Sequence, residues 1–175
     1  MSLNKNAILF HSCVSDLLAS QPVQSMQQYT QHAVVTTLEH CLFVSYISFL
    51  VCRLLRWNFY AAARGGLLHD LFLYDWHDES CRGKLHGLTH PKAALYNANT
   101  HFNLNPIEQD IILKHMWPLT FYPPKYRESF VVSMADKLCC VAEVMGLYRM
   151  IWIRRIMRLH RFAEAPLQAV PESNS

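Results

Sequence analysis

The 175-residue chain is 51% hydrophobic and 17% charged with only five glycines, which excludes a disordered or fibrous chain and sets one helix-rich domain as the expectation. Sixteen Lys and Arg against thirteen Asp and Glu leave a net charge of +3, too small an excess to indicate nucleic acid as a partner. Six cysteines (Cys13, Cys41, Cys52, Cys81, Cys139 and Cys140) show no CxxC spacing, and no cationic segment followed by an apolar core opens the sequence, so reduced thiols and a cytoplasmic location are expected.

Along the chain, Ile8, Leu9, Val14, Leu17 and Leu18 predict a short helix ending before Pro22, and residues 1–25 read as an N-terminal helical extension. Apolar residues then recur every three or four positions from Val34 through Leu54, predicting a helix over 26–57 that carries His40 on a buried face. Its longest apolar stretch, 42–52, is too short to span a bilayer and reads as core. A second helix is expected over 59–73, where Ala61-Ala62-Ala63 favour helix and Gly65-Gly66 suggest close approach of another helix. Residues 74–89 read as a long polar loop. Pro91 fits the first turn of a helix reaching about 101, with Thr89 or His90 at its cap. Asn105-Pro106-Ile107-Glu108 opens another helix carrying His115. A last helical pattern covers 126–162, and a disordered tail is expected over 163–175. The fold class is all-α, with 26–162 as the principal domain.

Against this apolar background, His40, His69-Asp70, His90, His115 and Asp136 stand out. An ionisable pair inside Leu67-Leu68-His69-Asp70-Leu71 is costly to bury unless it is coordinated or paired. Imidazole nitrogen mixed with carboxylate oxygen suits divalent Fe, Mn, Co, Zn or Mg. Four histidines and two aspartates around two such ions leave a cationic centre that attracts phosphate and generates a hydroxide near neutral pH.

The order His40, His69-Asp70, Asp136, with the local strings Glu39-His40, Gly66-Leu67-Leu68-His69-Asp70 and Ala135-Asp136-Lys137, resembles the HD-domain metal-dependent phosphohydrolase superfamily. The resemblance implies a bundle of about five core helices over roughly 39–143, plus flanking N- and C-terminal helices. It also implies that His40, His69, Asp70 and Asp136 hold a first ion, that His90 and His115 add a second, and that Asp70 bridges the two. His90-Pro91 is similar to the HD-GYP cyclic-dinucleotide phosphodiesterases, but Met116-Trp117-Pro118 replaces their Gly-Tyr-Pro signature and Lys114-His115 replaces paired histidines, so cyclic dinucleotides are set aside. The six-ligand order also resembles bacterial dinucleoside tetraphosphate hydrolases and the HD-scaffold di-iron oxygenases.

The expected activity is therefore hydrolysis of a phosphate ester or anhydride in a nucleotide or other small phosphorylated metabolite, by attack of a metal-activated hydroxide. The alternatives are oxygenation and metal or ligand sensing without turnover. Arg64, Lys114 and Lys137, next to or within two turns of proposed ligands, are candidates to neutralise developing phosphoryl charge, and Asp75 is a candidate proton donor or orienter of water. Tyr74, Trp76, His77 and Trp117 offer aromatic surface for a base or sugar, and His86 a loop or substrate contact. The Arg-rich run from Arg149 to Arg161 is read as an amphipathic helix packed on the bundle or on a second subunit rather than on a membrane or nucleic acid, which makes a homo-oligomer an expectation.

Overall fold

A computed structural model describes residues 2–32, 35–73 and 86–145. It is all-α: α1 (Ser2–Leu18), α2 (Gln21–Ser25), α3 (Thr37–Leu54), α4 (Phe59–Leu68), α5 (His86–His101), α6 (Pro106–Lys114) and α7 (Arg127–Val144). A single turn of 3-10 helix, Met26–Gln28, and a two-stranded antiparallel ribbon, β1 (Thr30–His32) with β2 (Val35–Thr36), connect α2 to α3.

The helix predicted over 26–57 thus begins eleven residues later, at Thr37, because a capping box holds its start. Glu39 N–H donates to Thr36 Oγ1 at 3.2 Å, and Thr36 N–H donates to Glu39 Oε2 at 3.0 Å. The β-branched Val35-Thr36 favours extended chain ahead of that cap. Helix α3 ends in a hydrogen-bond pair of Schellman type, Trp57 N–H to Cys52 O and Arg56 N–H to Arg53 O, with Arg56 at φ 57°. At 18 residues and mean hydropathy 1.3, α3 is long and apolar enough to meet the length test for a membrane span, unlike the eleven-residue stretch considered from sequence. In the fold it is the central core helix, 61% buried.

Helix α4 is the axis of the bundle. Every residue from Ala61 to Leu68 is buried, and the helix packs on α1, α3, α6 and α7. Its small side chains permit this. A Cβ on Gly66 would lie 3.0 Å from the Ser45 Cα of α3, and one on Gly65 would lie 2.7–2.9 Å from three atoms of Ile111 in α6. Gly65→Ala gains helix propensity worth about 1 kcal/mol but forces α6 outward, and with three contacts under 3.0 Å the overpacking falls in the upper part of its usual range, about 2–3 kcal/mol. The expected result is a net loss of about 1–2 kcal/mol in urea denaturation, partly recovered in the Gly65→Ala/Ile111→Val double variant. A Gly65→Ala protein as stable as the parent would refute the close-approach assignment.

Helix α1 is built into the core rather than appended to it. Phe10, Cys13, Val14, Leu17 and Leu18 form one buried stripe at helical spacing and join Leu42, Phe49, Leu67 and Leu71 in the larger hydrophobic cluster. A second cluster, with Val44, Ala62, Ile111, Val132 and Cys139, fills the space between α3, α4, α6 and α7.

Two further boundaries differ from expectation. Helix α4 stops at Leu68 rather than 73, turning at His69 and Asp70 through Leu71 N–H to Leu68 O and Phe72 N–H to Asp70 O. Helix α5 begins at His86, inside the segment read as loop, so Pro91 lies in the helix interior and His90 is a helical residue rather than a cap. Proline there removes one intrahelical donor, a local penalty that the packed bundle tolerates. The last helix is described as far as Val144, and the expectations for 146–162 and for the tail lie outside the described residues.

Candidate metal centre

Five helices or their ends converge to place the six residues singled out from sequence. His40 sits one turn into α3, His69 and Asp70 follow the last residue of α4, His90 belongs to α5, His115 caps α6, and Asp136 lies mid-way along α7. All six are buried, with His40 and His69 fully so.

Their ligating atoms form two groups that meet at Asp70, with His69, His115 and Asp136 also within 4.8 Å of one another across the two. On one side, His40 Nε2 is 3.1 Å from Asp136 Oδ1, and His69 Nε2 is 3.7 Å from that oxygen and 3.5 Å from Asp70 Oδ2. On the other, Asp70 Oδ1 is 3.2 Å from His90 Nε2 and 3.5 Å from His115 Nε2, and the two imidazole nitrogens are 2.9 Å apart. Ligands about 2.1 Å from a common ion lie about 3.0 Å apart at right angles and about 3.4 Å apart in a tetrahedron, so these spacings suit shared coordination. His69 Nε2 is fully enclosed and has no hydrogen-bond partner among the described residues, a donor or lone pair that a folded protein rarely leaves unsatisfied.

Three histidines have their second nitrogen committed elsewhere. His69 Nδ1 donates to Gly66 O at 2.7 Å, and His115 Nδ1 donates to Ile112 O at 2.9 Å. The construction is the same in both: a histidine just past a helix end turns back onto a last-turn carbonyl that has no intrahelical donor. In its neutral form each ring then presents the Nε2 lone pair to the centre, and each helix directs the negative end of its dipole there. His40 Nδ1 instead donates to Glu143, 2.9 and 3.1 Å from its two carboxylate oxygens, the carboxylate–histidine arrangement that orients and strengthens an imidazole ligand.

Charge within the pocket diverges. Burial pushes His40 down, but the Asp136 and Glu143 carboxylates outweigh it and hold the ring up at about 10. Burial and the neighbouring His69 drive His115 down to about 3. Asp70 would be raised by burial, yet His69, His90 and His115 hold it well below the usual carboxylate range. Opposed shifts of this kind arise where like and unlike charges are enclosed together.

The cations proposed from sequence have separate destinations. Arg64 turns to Asp16 at 2.6 Å, Glu108 at 3.3 Å and the Cys13 carbonyl at 3.2 Å, tying α4 to α1 and α6. Lys114 pairs with Asp110 at 2.9 Å. None of these partners is one of the six candidate ligands. Lys137 alone stays at the centre's edge: partly exposed, it donates to His115 O at 2.8 Å and lies 3.8 Å from Asp136 Oδ2. Trp117 packs on Phe130 with ring centroids 5.8 Å apart. Asp75, Tyr74, Trp76 and His77 lie outside the described residues, as do the side chain of His86 and the Arg-rich run.

Glu143 was not anticipated. It lies seven residues after Asp136 on one helix, and an acidic residue two turns from a candidate ligand on the same face was the available signal. No protein-family profile, curated protein or solved structure matches the chain significantly.

Proposed function

We propose that the chain is a metal-dependent phosphohydrolase of the HD-domain kind, acting on a nucleotide or another small phosphorylated metabolite. The observation that carries this reading is the division of donor atoms about Asp70, whose two oxygens face two different sets of histidines. Such a residue set fits one or two divalent ions (Fe, Mn, Co, Zn or Mg). His40, His69 and Asp70 are grouped within 4.8 Å, as are Asp70, His90 and His115, and Asp136 reaches the first group through His40 and His69, so His40, His69, Asp70 and Asp136 would hold a first ion and Asp70, His90 and His115 a second. When bound, two such ions supply an activated water and neutralise charge on a phosphoryl oxygen.

The chain's own residues do the rest. Asp70 fixes the separation of the two sets, since each of its oxygens serves one. Gly66 O, Ile112 O and Glu143 lock ring orientations, so no rotamer search accompanies binding. The leucines around the His-Asp pair exclude bulk water and strengthen every charge interaction inside. Lys137, at the rim, is the cation placed to meet a phosphate oxygen as negative charge develops.

The test is protein purified without chelator, its metals identified, and then assayed against nucleoside mono-, di- and triphosphates, dinucleoside polyphosphates and model phosphodiesters with each of the five ions. Phosphate or nucleotide release that depends on an added ion and stops with chelator is the expected result. Bound metal with no release from any substrate would favour a sensing role, and dioxygen consumption by the iron form would favour oxygenation.

A further inference from the structure

Among the described residues, one thiol shares the centre. Cys140 lies four residues after Asp136 on α7, on the face that turns inward at Asp136 and Glu143, and its sulfur is 3.5 Å from Asp136 Oδ1. That oxygen is also the one 3.1 Å from His40 Nε2 and 3.7 Å from the enclosed, unpartnered His69 Nε2. His40, Asp136 and Cys140 keep their donor atoms within 4.8 Å of one another. An oxygen about 2.0 Å and a sulfur about 2.3 Å from one zinc-like ion, at the tetrahedral angle, are about 3.5 Å apart, which is the separation here.

The other described cysteines are differently placed. Cys139, the neighbour in sequence, is buried in the apolar cluster with Val44 and Val132. Cys41 lies 3.7 Å from His69 Nδ1, the nitrogen already committed to Gly66 O, and so sits behind the ring. Cys13 donates to the Leu9 carbonyl of its own helix, and Cys52 is buried with Val44 and Ala62. Cys140 is the one of the five that is not fully buried.

We propose that Cys140 is a thiolate ligand to the ion held by His40 and Asp136, so that the first site is a mixed nitrogen, oxygen and sulfur site rather than one of nitrogen and oxygen alone. On binding, the thiol proton that now points to Asp136 passes to solvent and the sulfur takes the ion in its place. A soft ligand biases the site toward Zn, Co or Fe and against Mg, which binds oxygen almost exclusively. The inference rests on the metal-centre reading above, and its test separates the two.

Metal-free full-length protein is titrated with cobalt(II) and followed by absorption spectroscopy. The expected spectrum has visible d–d bands, reporting protein-bound cobalt, together with a near-ultraviolet thiolate-to-cobalt charge-transfer band. Cys140→Ser should lose the charge-transfer band and keep the d–d bands, whereas Cys41→Ser should keep both. Wild-type d–d bands without charge transfer, or a charge-transfer band that survives in Cys140→Ser, would overturn the thiolate assignment and leave the metal centre standing. A wild-type protein that retains no cobalt after desalting, measured by metal analysis, would overturn both. Because the wild-type spectrum alone decides the first question, a Cys140→Ser protein that fails to fold does not rescue the proposal.

Discussion

Asp70→Ala is expected to abolish binding of both ions and to lower any hydrolytic rate by roughly 10³–10⁴-fold, since activation of water and charge neutralisation are each worth several kcal/mol and both depend on the ions. The reason is geometric: no other described residue places one carboxylate oxygen 3.5 Å from His69 and the other 3.2 Å from His90. Metal content by plasma mass spectrometry, paired with the rate, checks it. Asp70→Asn keeps the side-chain volume and serves as the folded control, with circular dichroism confirming helix content. Full occupancy of both sites in either variant would defeat the bridging role, and retained occupancy with lost turnover would restrict Asp70 to chemistry.

Glu143→Gln has a smaller and more selective effect. The substitution keeps an acceptor for His40 Nδ1 but removes the charge, leaving a weaker hydrogen bond and a less basic ring. Affinity for the ion at His40 should fall about 10–100-fold, the usual consequence of losing a carboxylate behind a ligating histidine. The ion at His90 and His115 should be unaffected, because neither ring contacts Glu143. Competitive titration against a chromophoric chelator, resolving two binding steps, provides the measurement. Equal weakening of both steps would point to a general loss of structure, and an unchanged first step would show that Glu143 does not tune His40.

The all-α class was legible in residue types and spacing, as was the burial problem posed by His69-Asp70, while grouping the six candidate residues drew on the resemblance to the HD-domain superfamily. Polar groups that survive among leucines must be satisfied somehow, and periodicity of 3.6 is a local property of the chain. Boundaries were less legible where local signals competed. The apolar recurrence through Val34 and Val35 imitated helix, while the Thr36/Glu39 capping box set the true start. Pro91 looked like a first-turn residue because proline is best tolerated there, yet α5 runs through it from His86.

The cations show the opposite limit. Arg64 stands five residues before His69, near enough in sequence to suggest a phosphate contact, but Asp16 and Glu108 arrive from α1 and α6 and take its guanidinium. Lys114 is likewise held by Asp110 one turn back, while Lys137 remains beside the ligands. Sequence proximity leaves such a choice open, because a long side chain reaches either way and only the neighbouring helices decide.

The sequence by itself determined the helical class, the glycine pair that lets α4 sit at the axis, and that the His69-Asp70 pair among leucines needed a polar partner. Tertiary structure alone decided that Asp70 divides its oxygens between two sets of histidines, that Glu143 stands behind His40 and that Cys140 shares an oxygen with it. The first group follows from propensity and the penalty for burying an unsatisfied polar atom, both of which act along the chain. The second follows from distances of a few ångströms between residues as far as 103 positions apart, which arise only when the helices pack.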